Sequence, residues 1–138
     1  MSNGLKWFNM TEGIMKIRRV YFQVKVNDLI RAKDFYQKTF KFEVAFFEGV
    51  ELGWCEMQLP GEARLGLNLR LPGDDKPLSW GILTIDVENL EETREYLLEI
   101  GLEPTEIYDN PNNVSYFNVK DSEGNSIQIV GDPRIKTL

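Results

Sequence analysis

The chain repeats itself. Val26-Asn27-Asp28-Leu29 is echoed by Val87-Glu88-Asn89-Leu90, and Leu65-Gly66-Leu67-Asn68-Leu69 by Asn125-Ser126-Ile127-Gln128-Ile129, each at a spacing of about 60 residues. A doubled module limits the folds open to the chain. It also directs attention to the space between the two copies, because the residues facing that space decide what the protein does.

Within each copy the hydrophobic pattern changes period. Val20, Phe22, Val24 and Val26 alternate with Tyr21, Gln23 and Lys25, the period-two signature of a strand with one apolar face. Asp28 then caps a helix whose inward stripe is Leu29, Ala32, Phe35, Tyr36 and Phe40. Strands are expected at 42–47, 51–59 and 64–70, with turns at Gly49 and Pro60-Gly61. Leu71 to Pro77, carrying two prolines and an acidic pair, reads as a linker. The second copy runs as a strand at 81–87 and a helix capped by Asn89, with Glu92 as capping-box partner and Gly101 as stop. Strands at 103–108, 114–119 and 126–130 complete it. The organisation is therefore a leader (1–15), module one (16–70), a linker (71–77), module two (78–132) and a tail (133–138).

Composition narrows the function. At 138 residues the chain has the length of one domain, and no apolar run reaches the roughly 20 residues that span a bilayer. No signal peptide is visible, so a cytoplasmic protein without a membrane partner is expected. A formal charge of -6 with one short basic cluster, Lys16, Arg18 and Arg19, opposes a nucleic-acid partner. Cys55 is the sole cysteine and the chain has no histidine, which argues for a buried thiol rather than a nucleophile or a metal ligand.

The doubled βαβββ pattern, the Phe35-Tyr36 pair in the first helix and the closing stretch Asp121-Ser122-Glu123-Gly124-Asn125-Ser126-Ile127-Gln128-Ile129 resemble the glyoxalase / bleomycin-resistance / extradiol-dioxygenase group, the vicinal oxygen chelate superfamily. Members typically read Asp-Pro-Asp-Gly-Asn at the closing turn, where this chain has Ser122 in place of proline. The likeness covers residues 16 to 132 and implies an α+β fold of two curved half-barrels around a cup, with helices on the outer faces. It also implies a homodimer, the cup lying within one chain or shared by two.

Strand alternation assigns the cup side chains: Tyr21, Gln23, Lys25, Trp54, Glu56, Gln58, Asn68, Arg70, Ile82, Thr84, Asp86, Tyr116, Asn118 and Gln128. The resemblance maps the usual four metal-ligand positions onto Tyr21, Asn68, Ile82 and Gln128, none a carboxylate or imidazole, so no metal or other cofactor is expected. The principal expectation is a metal-free module binding a small planar or aromatic molecule through Tyr21, Gln23, Trp54, Gln58, Asn68, Arg70, Tyr116, Asn118 and Gln128, with Trp80 nearby. The alternatives are a lyase, isomerase or dioxygenase with an atypical site, in which Lys25 and Glu56 form an acid–base pair, and a domain that serves dimerisation.

Overall fold

The computed structural model describes residues 18–19, 21–75 and 81–137. The leader, Val20, Lys76-Pro77 and Trp80 lie outside the described residues. Module one is β1 (Tyr21–Val26), α1 (Leu29–Phe40), β2 (Glu43–Phe47), β3 (Trp54–Gln58) and β4 (Arg64–Leu69). Module two is β5 (Leu83–Asp86), α2 (Leu90–Glu99), β6 (Ser115–Lys120) and β7 (Ser126–Gly131). The sheets have strand orders β1-β4-β3-β2 and β5-β7-β6, with β1 parallel to β4 and β5 parallel to β7. The fold is the α+β pair of modules that the resemblance implies; neither sheet closes into a barrel.

Local chemistry sets the helix ends. Asp28 and Asn89 sit in extended conformation and accept from the N–H of Arg31 and Glu92, each at 3.0 Å. Among the described residues the Glu92 side chain returns no bond to Asn89, so the capping box is half made; the Thr93 hydroxyl donates to the Asn89 carbonyl at 2.8 Å instead. Gly101, at φ 93°, closes α2: its N–H donates to the Leu98 carbonyl and that of Leu102 to Leu97.

Two expected strands differ. Between the positive-φ glycines Gly49 and Gly53 the chain makes a 3-10 turn, Val50–Leu52, and β3 begins only at Trp54. The segment 103–108 lies beside β6 but is no regular strand. Pro104 has no N–H to offer a ladder, and the Thr105 hydroxyl accepts from the Asn118 N–H in place of a carbonyl. Pairing resumes at Tyr108 and Tyr116, whose N–H groups donate to each other's carbonyls at 2.8 and 3.0 Å.

α1 packs on β2, β3 and β4, and α2 on β7. Beneath the helices Val24, Val26, Leu65, Leu67, Ile127 and Ile129 are buried, and Phe22, Leu83 and Ile85 pack partly buried against them. Cys55 and Met57 join this core. Burying a Leu or Ile side chain contributes about 1.5–3 kcal/mol, so these alternates hold each sheet to its helix.

The modules are joined by the turn 121–125. Asp121 Oδ1 accepts from the N–H groups of Glu123 and Asn125, each at 2.8 Å, and Oδ2 accepts from the Tyr36 hydroxyl of α1 at 2.7 Å. The buried Glu123 carboxylate accepts from the N–H of Asn27 and Asp28, at 2.8 and 3.0 Å, and from Arg31 at 2.7 and 3.1 Å. The Asn125 amide donates to the Lys25 carbonyl on the free edge of β1 at 3.1 Å. The tail is pinned separately. Arg134 grips Asp109 through two bonds, at 2.8 and 2.7 Å, and reaches Glu91 at 2.9 Å, while the Ser115 hydroxyl donates to Asp109 at 2.7 Å.

Burial alone pushes the Glu123 carboxyl up, but Arg31, the Asn27 and Asp28 amides and Ser122 together hold it below its ordinary 4.5. A depressed pKa adds stability that is present above the ordinary value and lost as pH falls through the folded one. Glu123→Gln is therefore expected to lower the urea-unfolding free energy by about 2 kcal/mol at pH 7 and to flatten the acid limb of the stability curve. Tyr36→Phe, which strips one donor from Asp121, is expected to cost about 1.5–3 kcal/mol. An unchanged urea midpoint in both variants would contradict this account of the module junction.

Candidate functional site

The open face of module one is built from alternate residues in three cross-strand rows: Tyr21, Arg64 and Gln58; Gln23, Gly66 and Glu56; Lys25, Asn68 and Trp54. Gly66 is the floor of this face. A Cβ there would overlap the six-membered ring of Trp54, so the indole lies directly over the glycine backbone. The indole N–H donates to Glu56 Oε2 at 2.8 Å, and the Tyr21 ring sits 6.4 Å away, tilted by 47°.

Glu56 fixes this arrangement. Its Oε1 pairs with Arg64 at 2.6 Å, and Arg64 Nε donates to Gln58 Oε1 at 3.3 Å. Burial pushes the Glu56 carboxyl up, but the Trp54 N–H, Arg64 and the Tyr21 hydroxyl outweigh it and hold the pKa below its ordinary value. The carboxylate is thus ionised and engaged on both oxygens, which suits it to orient an indole and not to accept a substrate proton.

The expected pair of Lys25 with Glu56 is not formed. Lys25 bonds Asp74 at 2.9 Å, because the 71–74 turn folds back over the Lys25 row. Arg70 also leaves the face, donating to the Asp74 carbonyl at 2.7 Å. Gln58 spends its amide N–H groups on the carbonyls of Leu59, Gly61 and Ala63 in the β3–β4 turn. Gln23 and Asn68 stay on the face, bonded to each other at 3.2 Å. Arg64 was absent from the expected set, although it shares its strand parity with Asn68 and was open to the same alternation rule.

On module two, Gln128 lies between Thr84 and Asn118, and the Thr84 hydroxyl reaches Gln128 Oε1 at 3.4 Å. Ile82 and Asp86 are exposed beside them. Tyr116 stacks on Tyr108 with ring centroids 5.4 Å apart and an interplanar angle of 28°. Tyr108 was not expected at the site. It enters through the reciprocal bonds with Tyr116, which no local pattern announces.

The register corrects one mapped metal position. Val26 and Val87 are equivalent in the repeat, so Lys25 corresponds to Asp86; Lys25 pairs with Asn68, whereas Asp86 pairs with Val130. The counterpart of Gln128 is therefore Gly66, not Asn68. A slip of two keeps a residue on the same face, which is why alternation could not detect it. The four equivalent positions become Tyr21, Gly66, Ile82 and Gln128, two of them without any donor, and the Trp54 ring covers the space over Gly66. Among the described residues no group of three or more His, Cys, Asp or Glu side chains could hold a metal. Cys55 lies in the core with its pKa raised to about 11 by burial and offers no ready thiolate. This donor set does not fit a divalent transition metal.

With Trp54 as the sole tryptophan (Trp7→Phe, Trp80→Phe), Gly66→Ala is expected to push the indole off its floor. Its emission should shift to the red and stability should fall by about 1–3 kcal/mol. Unchanged emission would mean that the ring does not rest on Gly66.

Comparison with known proteins agrees with this fold. Residues 18–129 match the family model for the Glyoxalase/Bleomycin resistance protein/Dioxygenase superfamily. No curated protein matches the sequence. Among solved structures, an antibiotic-binding protein from a Streptomyces species superposes with a TM-score of 0.70 at 26% identity, over 86% of this chain and 98% of that one. A superfamily member from Sphaerobacter thermophilus gives 0.70 at 22%, over 86% and 100% of the two chains. A lactoylglutathione lyase from Agrobacterium tumefaciens gives 0.65 at 16%, over 81% and 91%; at these two lower identities the likeness speaks for the fold alone. The repeat, the paired sheets and the family match together establish that this chain belongs to the glyoxalase/bleomycin resistance protein/dioxygenase superfamily.

Proposed function

We propose that the protein binds a small planar or aromatic molecule on the open faces of its two modules, without a metal ion, and that it acts in the cytoplasm as a homodimer. The observation that carries this reading is the Trp54 indole, seated on Gly66 and tethered through its N–H to an ionised Glu56. An indole fixed beforehand binds a flat ring with little loss of side-chain entropy. Its surroundings are suited to a flat ligand of low charge: Arg64 is neutralised by Glu56, Lys25 by Asp74, and the Gln23 and Asn68 amides can turn toward polar ligand edges. The antibiotic-binding activity named for the Streptomyces relative points the same way.

The dimer rests on uncovered apolar surface: Leu71 is 66% exposed, Leu52 57% and Ile82 54%. Light scattering after size exclusion should give twice the chain mass, and a monomer at micromolar concentration would remove that part of the reading. For the ligand, emission of the sole-Trp54 variant is to be titrated with flat dyes and heteroaromatic compounds. Saturable quenching by at least one is expected, together with elemental analysis showing far less than one Ni, Zn, Fe or Mn per chain. Absence of quenching by every compound, or one bound metal per chain, would refute it.

A further inference from the structure

The register that moved Gly66 into line with Gln128 also pairs two aromatic side chains. In module one, Lys25, Asn68 and Trp54 form one row across β1, β4 and β3. The equivalent row in module two is Asp86, Val130 and Tyr116 across β5, β7 and β6. Tyr116 thus stands where Trp54 stands, on the third strand of its sheet, in the same row. It is on the open face too, since its neighbours Ser115 and Phe117 are buried.

Tyr108 doubles this surface. Its ring stacks on Tyr116 with centroids 5.4 Å apart, yet the residue is 54% exposed. Holding the segment does not require that ring. The Tyr108 and Tyr116 backbones bond each other twice, Thr105 is tied to Asn118, and Asp109, the next residue, is gripped by Arg134 and Ser115. A large aromatic side chain held firmly by its own backbone and left open to solvent is a preformed stacking surface.

We propose that the Tyr108–Tyr116 pair is a second stacking surface of the binding site, and that the ligand is a fused planar ring system large enough to meet both this pair and Trp54. The proposal rests on the ligand-binding reading above and names the class of its ligand. The equivalence of the rows puts the two surfaces at the same depth in their modules, so whatever brings the open faces together over a ligand presents both. The amides of Asn118 and Gln128 on one side and of Gln23 and Asn68 on the other are placed for carbonyl or N–H edges of such a ring system.

The test uses acridone, a neutral three-ring compound, followed by its own fluorescence polarisation with the full chain. Tyr108→Ala, at an exposed position and checked by circular dichroism, is expected to weaken binding about tenfold, and Tyr108→Phe to stay within about twofold of the parent, because stacking and not the hydroxyl is used. Trp54→Ala should weaken binding independently. If Tyr108→Ala binds as the parent does while Trp54→Ala is impaired, the second surface is overturned and the single-platform reading stands. If neither acridone nor any other flat probe binds the parent, the ligand-binding reading falls and takes this proposal with it.

Discussion

The structure depends on one acidic turn. Asp121 organises its own loop by accepting from the Glu123 and Asn125 amides, and then uses its second oxygen on the Tyr36 hydroxyl of α1. Glu123 takes the first free N–H groups at the entry of that helix and clasps Arg31. A buried carboxylate is costly unless its lone pairs find donors, and here the Tyr36 hydroxyl, the Asn27 and Asp28 amides and Arg31 of the other module add to those of the turn itself. Each module supplies polar partners to the other, which ties the turn to the entry of α1 and to the edge of β1. Burial of Tyr36, beside the Asp121 charge, drives its phenol well above the ordinary value, so it stays a donor across the physiological range.

The site follows from the two-residue period of the sheets. One set of alternates feeds the core under α1 and α2, and the other is left over an open face on which, in module one, Arg64 is matched by Glu56 and Lys25 by Asp74. Where related scaffolds place metal donors, this chain has a glycine, an isoleucine, a phenol and an amide. The glycine is covered from above by an indole, so Gly66 both lacks a donor and gives Trp54 its seat.

The repeat, both helices and their caps, and the parity of nearly every strand residue could be read from the chain because each depends on neighbours two to four positions away. Asp28, Asn89 and Gly101 act through bonds to the next turn of the chain. The misplaced features share a different cause. Lys25 and Glu56 lie on the same face as anticipated, yet their partners are chosen by the 71–74 turn and by Arg64 on a neighbouring strand. Asn68 has the anticipated parity and the wrong row, because the sequence offset between the two modules is not constant along the chain: Lys25 pairs with Asn68, but its equivalent Asp86 pairs with Val130. Tyr108 comes beside Tyr116 through an isolated bridge that follows the irregular pairing at Pro104 and Thr105.

Period, parity and turn chemistry are local, so the chain alone carried the fold class, the doubled module, the helix boundaries and which side chains turn away from the core. Register, ion-pair partners and the docking of one module on the other are set by atoms distant in sequence. The Glu123 clasp spans 96 residues to the Asn27 amide, and no periodicity can express a bond of that range. Tertiary packing therefore decided how the outward-facing residues are arranged: it lowered Trp54 onto Gly66, bound Glu56 to the indole N–H and to Arg64, and set Tyr116 in the row that Trp54 occupies.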